Sequence, residues 1–210
     1  MRQQKRSRRA VLWLYGAIVL LSLMPLYAQS SDDMASGVAL FERGQFAAAQ
    51  QFFETFVSRY PTAPSGAYYL GCIAFKREQY EQAATWFEKA VQLDGGNSDY
   101  HLWLGRTYGH QAQDAGGEAF FLARKAKTHL EKAVELNPDN MEARFDLLEY
   151  YLQAPTFLGG SSAKAKEQAE EIAKRNAAAG KKAWQRCEEE DTKTPWEQAT
   201  PPRNEAGGTE

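Results

Sequence analysis

Three glycines stand at equal intervals: Gly37, Gly71 and Gly105 are each 34 residues apart. Self-similarity at one fixed period of 20 to 50 residues identifies a chain built by stacking a small unit, and this constrains the fold before any local reading. The neighbours keep the same register. Leu70-Gly71 and Leu104-Gly105 are the same pair, Phe46 and Tyr80 lie 34 apart, and Ala49, Phe53 and Pro61 return as Ala83, Phe87 and Gly95. A third set is Ala126, Leu130 and Pro138, but Gly95 to Pro138 is 43 residues, so nine extra residues sit between Gly105 and Ala126. Carrying that offset forward puts Leu148 at the small-residue position of a fourth unit, which begins at Met141.

Within each unit the apolar spacing is helical. Ala83, Phe87 and Ala90 follow i, i+4, i+7, as do Ala126, Leu130 and Ala133, and Phe46, Ala49, Phe53 and Phe56 fill one face in the same way. Helix stops fall at Tyr60-Pro61, Asp94-Gly95-Gly96 and Asn137-Pro138. No segment alternates as a strand would, so the expected fold is all-α. Gly71 and Gly105 let a paired helix come close, with the aromatic or leucine of the second helix filling the space beside them.

Leu-Gly in a first helix and Ala…Phe…Ala…Pro in a second resemble the tetratricopeptide repeat, a 34-residue helix-turn-helix unit, and Ala83-Ala84-Thr85-Trp86-Phe87-Glu88-Lys89-Ala90 carries the likeness best. The resemblance covers about residues 32–176 and implies a helical-hairpin array (an α-solenoid) of about four units. With a C-terminal capping helix, the repeat domain is expected over 32–187. In that family the first helix of each unit lines a concave groove that binds peptides. By register this implies groove positions at Tyr68, Cys72, Phe75 and Lys76 in unit two, Leu102, Arg106 and His110 in unit three, and Phe145, Glu149 and Gln153 in unit four. Unit one offers Met34, Val38 and Phe41. Met34 and Val38 stand where part of the family's lysine and asparagine clamp for chaperone tails would be, which disfavours that ligand. For each groove residue, packing within the helix pair is an equal alternative.

The amino terminus has a different character. Arg2, Lys5, Arg6, Arg8 and Arg9 precede an apolar run from Ala10 to Met24, then Pro25 and Ala28 lead into polar sequence. This is the order of an export signal, with cleavage expected after Ala28 and residues 1–28 as the signal peptide. The alternative is an uncleaved anchor, although the run is short for a comfortable span of about 20 residues. Removing 1–28 takes away five positive charges and no acid, leaving 20 basic and 27 acidic residues and a net charge of −7. An acidic mature chain gives no reason to expect nucleic acid as a partner. The expected location is periplasmic or secreted.

Two features depart from the simple repeat. The nine-residue insertion, within Gly109 to Phe121, carries Gly116-Gly117 and Phe120-Phe121-Leu122. It either lengthens both helices, with the phenylalanines covering the extended core, or projects as a hairpin whose apolar tip meets a partner. The second is Ala154-Pro155-Thr156-Phe157-Leu158-Gly159-Gly160-Ser161 inside unit four. Pro155 ends a helix, the glycines permit a tight turn, and Ser161 or Ser162 either caps the next helix or helps its backbone N–H groups hold an anion. Both departures together, with Tyr150-Tyr151-Leu152, resemble a group of secreted bacterial tetratricopeptide proteins, a likeness that supplies no activity. Beyond Lys174 the pattern loosens. Trp184 is placed to anchor a capping helix on the last repeat, and residues 188–210 read as a disordered acidic and polar tail in which Trp196 is a candidate docking element.

Chemistry-bearing motifs are scarce. Ser161-Ser162-Ala163-Lys164 matches a Ser-x-x-Lys pattern without its companion motifs. His101, His110 and His129 lack ligand spacing, a His110/His129 site across the insertion being the one conceivable metal pair. Cys72 and Cys187 are far apart in the array, so two unpaired thiols are favoured over a bridge. No catalytic residue, cofactor or metal is expected. The function expected is an exported, non-catalytic scaffold holding a protein or peptide partner in the cell envelope, with aromatic pockets and the Lys76 and Arg106 charges setting selectivity. A receptor for a small acidic ligand and a structural subunit of an envelope assembly are the alternatives.

Overall fold

The computed structural model describes residues 34–192. Helix α1 spans 34–42. It is followed by α2 (Phe46–Arg59), α3 (Pro64–Lys76), α4 (Tyr80–Leu93), α5 (Ser98–Asp114), α6 (Ala119–Leu136), α7 (Met141–Gln153), α8 (Ser162–Arg175) and α9 (Ala177–Asp191), with single 3-10 turns at Gly116–Glu118 and Thr156–Leu158. No strand occurs among the described residues. Consecutive helices pair as hairpins, α1/α2 through the close approach of Gly37 to Phe52 and Phe53 and the later pairs through α7/α8, and α9 packs on α8 as a cap.

Each start has a local cause. Asn97, Asn140, Ser161 and Asn176 cap α5, α7, α8 and α9 by accepting backbone N–H bonds with their side chains. Pro64 occupies the first turn of α3, where its missing N–H costs nothing. Asn140 also ties neighbouring units together: its amide donates to Ser98 Oγ (2.9 Å), and Ser98 in turn donates to the Ala133 carbonyl (2.9 Å).

The hairpins close on one steric arrangement. Gly71 and Gly105 are each the eighth residue of their helix. A Cβ on Gly71 would stand 2.7 Å from the Phe87 ring, and one on Gly105 would stand 2.9 Å from Leu130. A Cβ on Gly37 would collide with the Phe52 ring and stand 2.8 Å from Phe53. In the fourth hairpin the sizes are exchanged. Leu148 holds the eighth position of α7, and Ala169 holds the place of Phe87 counted from the helix cap. Both are fully buried in one core cluster with Leu147, Tyr151 and Ile172.

The insertion is now accounted for. Helices α5 and α6 have 17 and 18 residues against 13 and 14 in α3 and α4, so each gains about one turn and the connection gains one residue. The extra length does not have its aromatics in a core. Phe120 and Phe121 are 38% and 66% exposed at the tip, because the neighbouring hairpins are shorter and cover them only in part, through the Phe157 ring stacked on Phe120.

At the other departure, Gly159 adopts φ +93°, and any side chain on Gly160 would collide with the Ala154 carbonyl. Ser161 caps α8 by accepting the Lys164 N–H (3.3 Å). Trp184 is not the anchor of the cap: it is 38% exposed, while Gly180, Ala183 and Cys187 form the buried stripe of α9. Residues 188–191, expected in the tail, instead belong to α9, whose Asp191 accepts from Ser162 Oγ (2.9 Å) and pairs with Lys166 (2.6 Å). The expected signal segment and residues 193–210 lie outside the described residues.

Replacing Gly105 with Leu should lower unfolding stability by about 1–3 kcal/mol in urea titration, by overpacking against Leu130. Gly109→Ala is the control: its Cβ would meet nothing within 4 Å, and removing a helical glycine should raise stability by about 0.5–1 kcal/mol.

Candidate interaction surface

The first helices form one face. Helix α5 touches both α3 and α7, and α7 touches α9, whereas among the described residues no comparable contact joins α4 to α6 or α6 to α8. The second helices therefore splay outward, and α3, α5 and α7 line the inner side.

The residues that the register places on this face meet different fates. Tyr68 is half-buried, packed against Tyr100 (ring centroids 5.1 Å) and Phe87 (6.0 Å), and burial raises its phenol far above the ordinary range. Phe75 lies edge-on to Trp103 (5.2 Å) and His110 (5.2 Å), and His110 stacks on Tyr80 (4.7 Å). Burial lowers the His110 pKa, so the ring is neutral at pH 7. Lys76 is exposed and forms no ion pair among the described residues. Phe145 is half-buried against the fourth hairpin's core. Leu102 does not reach the groove: at 2% exposure it belongs to that same core, between α5 and the α6–α7 layer.

Arg106 and Glu149 are engaged within the molecule. The Arg106 guanidinium lies over the Trp103 ring (4.9 Å), donates from Nε to Asp146, and pairs with Glu142 (3.0 Å). Burial opposes its charge, but the bond to Asp146 and the two carboxylates outweigh burial and hold its pKa above the usual value. Glu149 pairs with Arg186 (2.9 Å), which also pairs with Glu190 (3.1 Å), so the cap helix completes the network. Register alone missed these partners. Asp146 holds the position that Trp103 holds in α5, and nothing in the spacing says that a carboxylate there faces Arg106.

The histidines pair differently from the conceivable His110/His129 site. His101 Nδ1 lies 2.9 Å from His129 Nδ1, while His101 Nε2 lies 3.3 Å from the Gly95 carbonyl. A carbonyl only accepts, so His101 carries its proton on Nε2 and its Nδ1 accepts from His129. Burial keeps both rings neutral at pH 7. Burial lowers both pKa values, that of His129 to about 4 with a further contribution from His101. No group of three or more candidate metal ligands occurs among the described residues. Cys72 and Cys187 are buried free thiols, and burial pushes Cys72 up to about 12, so it stays protonated. The Ser161–Lys164 pattern is structural: Ser161 caps, and the Lys164 ammonium lies over the Tyr151 ring (5.4 Å). A cleft of about 40 Å³ between Gln50, Arg77 and Trp86 on the outer side is far below the several hundred cubic ångströms of a small-molecule site.

The tetratricopeptide repeat family model matches residues 34–98. Superkiller complex protein 3 of Mus musculus is 29% identical over 101 residues, which is 48% of this chain but only 6% of that protein. Among solved structures, the O-GlcNAc transferase of Thermobaculum terrenum superposes with a TM-score of 0.59 at 22% identity, over 70% of this chain and 26% of that one. YrrB, described as a TPR protein with an unusual peptide-binding site, gives 0.54 at 21% identity, over 74% and 77%.

The histidine pair makes stability depend on pH. In the unfolded chain both rings protonate near 6.5, whereas the native rings resist protonation until lower pH, His129 until about 4. Unfolding therefore takes up protons between these values, and stability should fall as the pH drops from 6.5 towards 4. Thermal midpoints across that range should fall less steeply in His129→Leu than in the native chain, and equal slopes would show that the pair is uncoupled from folding.

Proposed function

Because this chain is a tetratricopeptide repeat protein, a class that serves protein–protein interaction, we propose that it is a non-catalytic scaffold holding an extended segment of another protein along its inner face, and that it works in the cell envelope after export. The observation that carries this reading is the continuity of α3, α5 and α7 on one side, with half-exposed Tyr68 and Phe75 beside the unpaired Lys76. Rigid aromatics lose little rotamer freedom on binding, and this is why such residues serve as anchors. Arg106 is already matched by Asp146 and Glu142, so the selectivity for charge falls to Lys76. The peptide-binding description of YrrB supports the same use of the fold. Export rests on the basic and apolar order of residues 1–28. Two buried thiols that form no bridge are compatible with an oxidising compartment.

Crosslinked capture from an envelope extract should recover a partner with the native protein and lose most of it with Tyr68→Ala/Lys76→Glu at unchanged helicity. Equal recovery from both would sink the groove reading. Residues 1–33 fused to an alkaline phosphatase reporter, which needs disulfides to fold, should give an active enzyme, and an inactive one would overturn export.

A further inference from the structure

The two departures from the repeat meet in space. Phe120, at the tip of the lengthened α5/α6 hairpin, stacks almost parallel on Phe157 of the α7–α8 loop, with ring centroids 6.3 Å apart and planes at 7°. Phe121 lies edge-on to Phe120 at 5.4 Å, and the Arg124 guanidinium sits over Phe120 at 5.7 Å. Phe121 and Phe157 are 66% and 76% exposed and Phe120 38%. At the 150–250 Å² of a phenylalanine, this leaves roughly 300–400 Å² of aromatic surface in water. That is the size of the largest patch on an ordinary monomer, where such patches are commonly functional. The loop is not loose: Gly160 N–H donates to Pro155 (3.1 Å), Ser161 N–H to Tyr151 (2.8 Å), and Tyr150 O–H to Leu158 (3.0 Å). A backbone held this firmly presents Phe157 outward as a fixed feature.

The path of the chain points to the occupant. Helix α9 ends at the same end of the array, where Asp191 is bonded to Ser162 Oγ and to Lys166, at the start of α8. Phe157 is five residues before Ser162, and Trp196 is five residues after Asp191. Five residues of extended chain span at most about 17 Å, and the Gly159–Gly160 turn shortens the path back to Phe157. The two side chains therefore lie within mutual reach from a shared anchor. Trp196 follows Pro195, which restricts the backbone before it, and Glu197 brings a carboxylate suited to Arg124.

We propose that the chain's own C-terminal segment, residues 193–210, folds back so that Trp196 covers the Phe120–Phe121–Phe157 platform. This surface is separate from the inner groove, so its failure would leave the peptide-scaffold reading untouched, and the reverse also holds.

The test is fluorine NMR on the full chain with its native processing, carrying 5-fluorotryptophan at every tryptophan it retains and with the Trp196 resonance assigned by Trp196→Phe. The expected result is a Trp196 signal displaced from its position in a free peptide of residues 193–210, with a reduced solvent isotope shift. Phe120→Ala/Phe157→Ala should return the signal to the peptide position. Helicity should not change, since Phe120 and Phe157 both stand outside the core clusters. A native Trp196 signal already at the peptide position would overturn the proposal. So would a displaced signal indifferent to the double substitution, or one that reverts on dilution, which would place the tail on a second copy.

Discussion

Every hairpin depends on the contact between a small residue in one helix and a large one in the other at the crossing point. Gly71 under Phe87 and Gly105 under Leu130 bring the helices together closely enough that a single added carbon would fall within 3 Å of the facing side chain. Close-packed interiors do not absorb such overlaps cheaply. The fourth hairpin shows that the requirement is complementarity and not glycine itself: Leu148 and Ala169 exchange the sizes and remain fully buried. Stacking such hairpins brings the first helices together and spreads the second ones, and the inner face follows from that asymmetry.

The same face illustrates how charge is used in an array. Arg106, Asp146 and Glu142 link α5 to α7, and Glu149 with Arg186 links α7 to the cap. These pairs join neighbouring units, and each half-buried cation already has its carboxylates. A ligand offering an acid at Arg106 or Arg186 would compete with carboxylates fixed in place. Lys76 is exposed and forms no ion pair among the described residues, which is why the proposed charge selectivity is assigned to it.

The histidines and the tip show interactions made between units that no single repeat encodes. His101 and His129 share one proton between facing Nδ1 atoms because the Gly95 carbonyl fixes the tautomer of the first. Phe120 and Phe157 stack because one extra turn on each of α5 and α6 carries the tip to the level of a loop in the next hairpin. Both arrangements join residues from different helices or hairpins, so their partners depend on how the helices are stacked.

Much of this was legible in the residues themselves. The 34-residue interval, the i, i+4, i+7 stripes and the stops at Tyr60-Pro61 and Asn137-Pro138 determined an all-α hairpin array and its register, because helix periodicity and close packing are local properties. Ser161 as a cap and Gly159–Gly160 as a turn were readable for the same reason. Tertiary structure alone decided that Leu102 is core, that Arg106 is neutralised by its own neighbours, that Trp184 faces outward and that α9 continues through Asp191. Each of those outcomes depends on which side chains a second helix brings within a few ångströms. Register specifies the face of a helix, whereas the angle and length of its neighbours determine what that face meets.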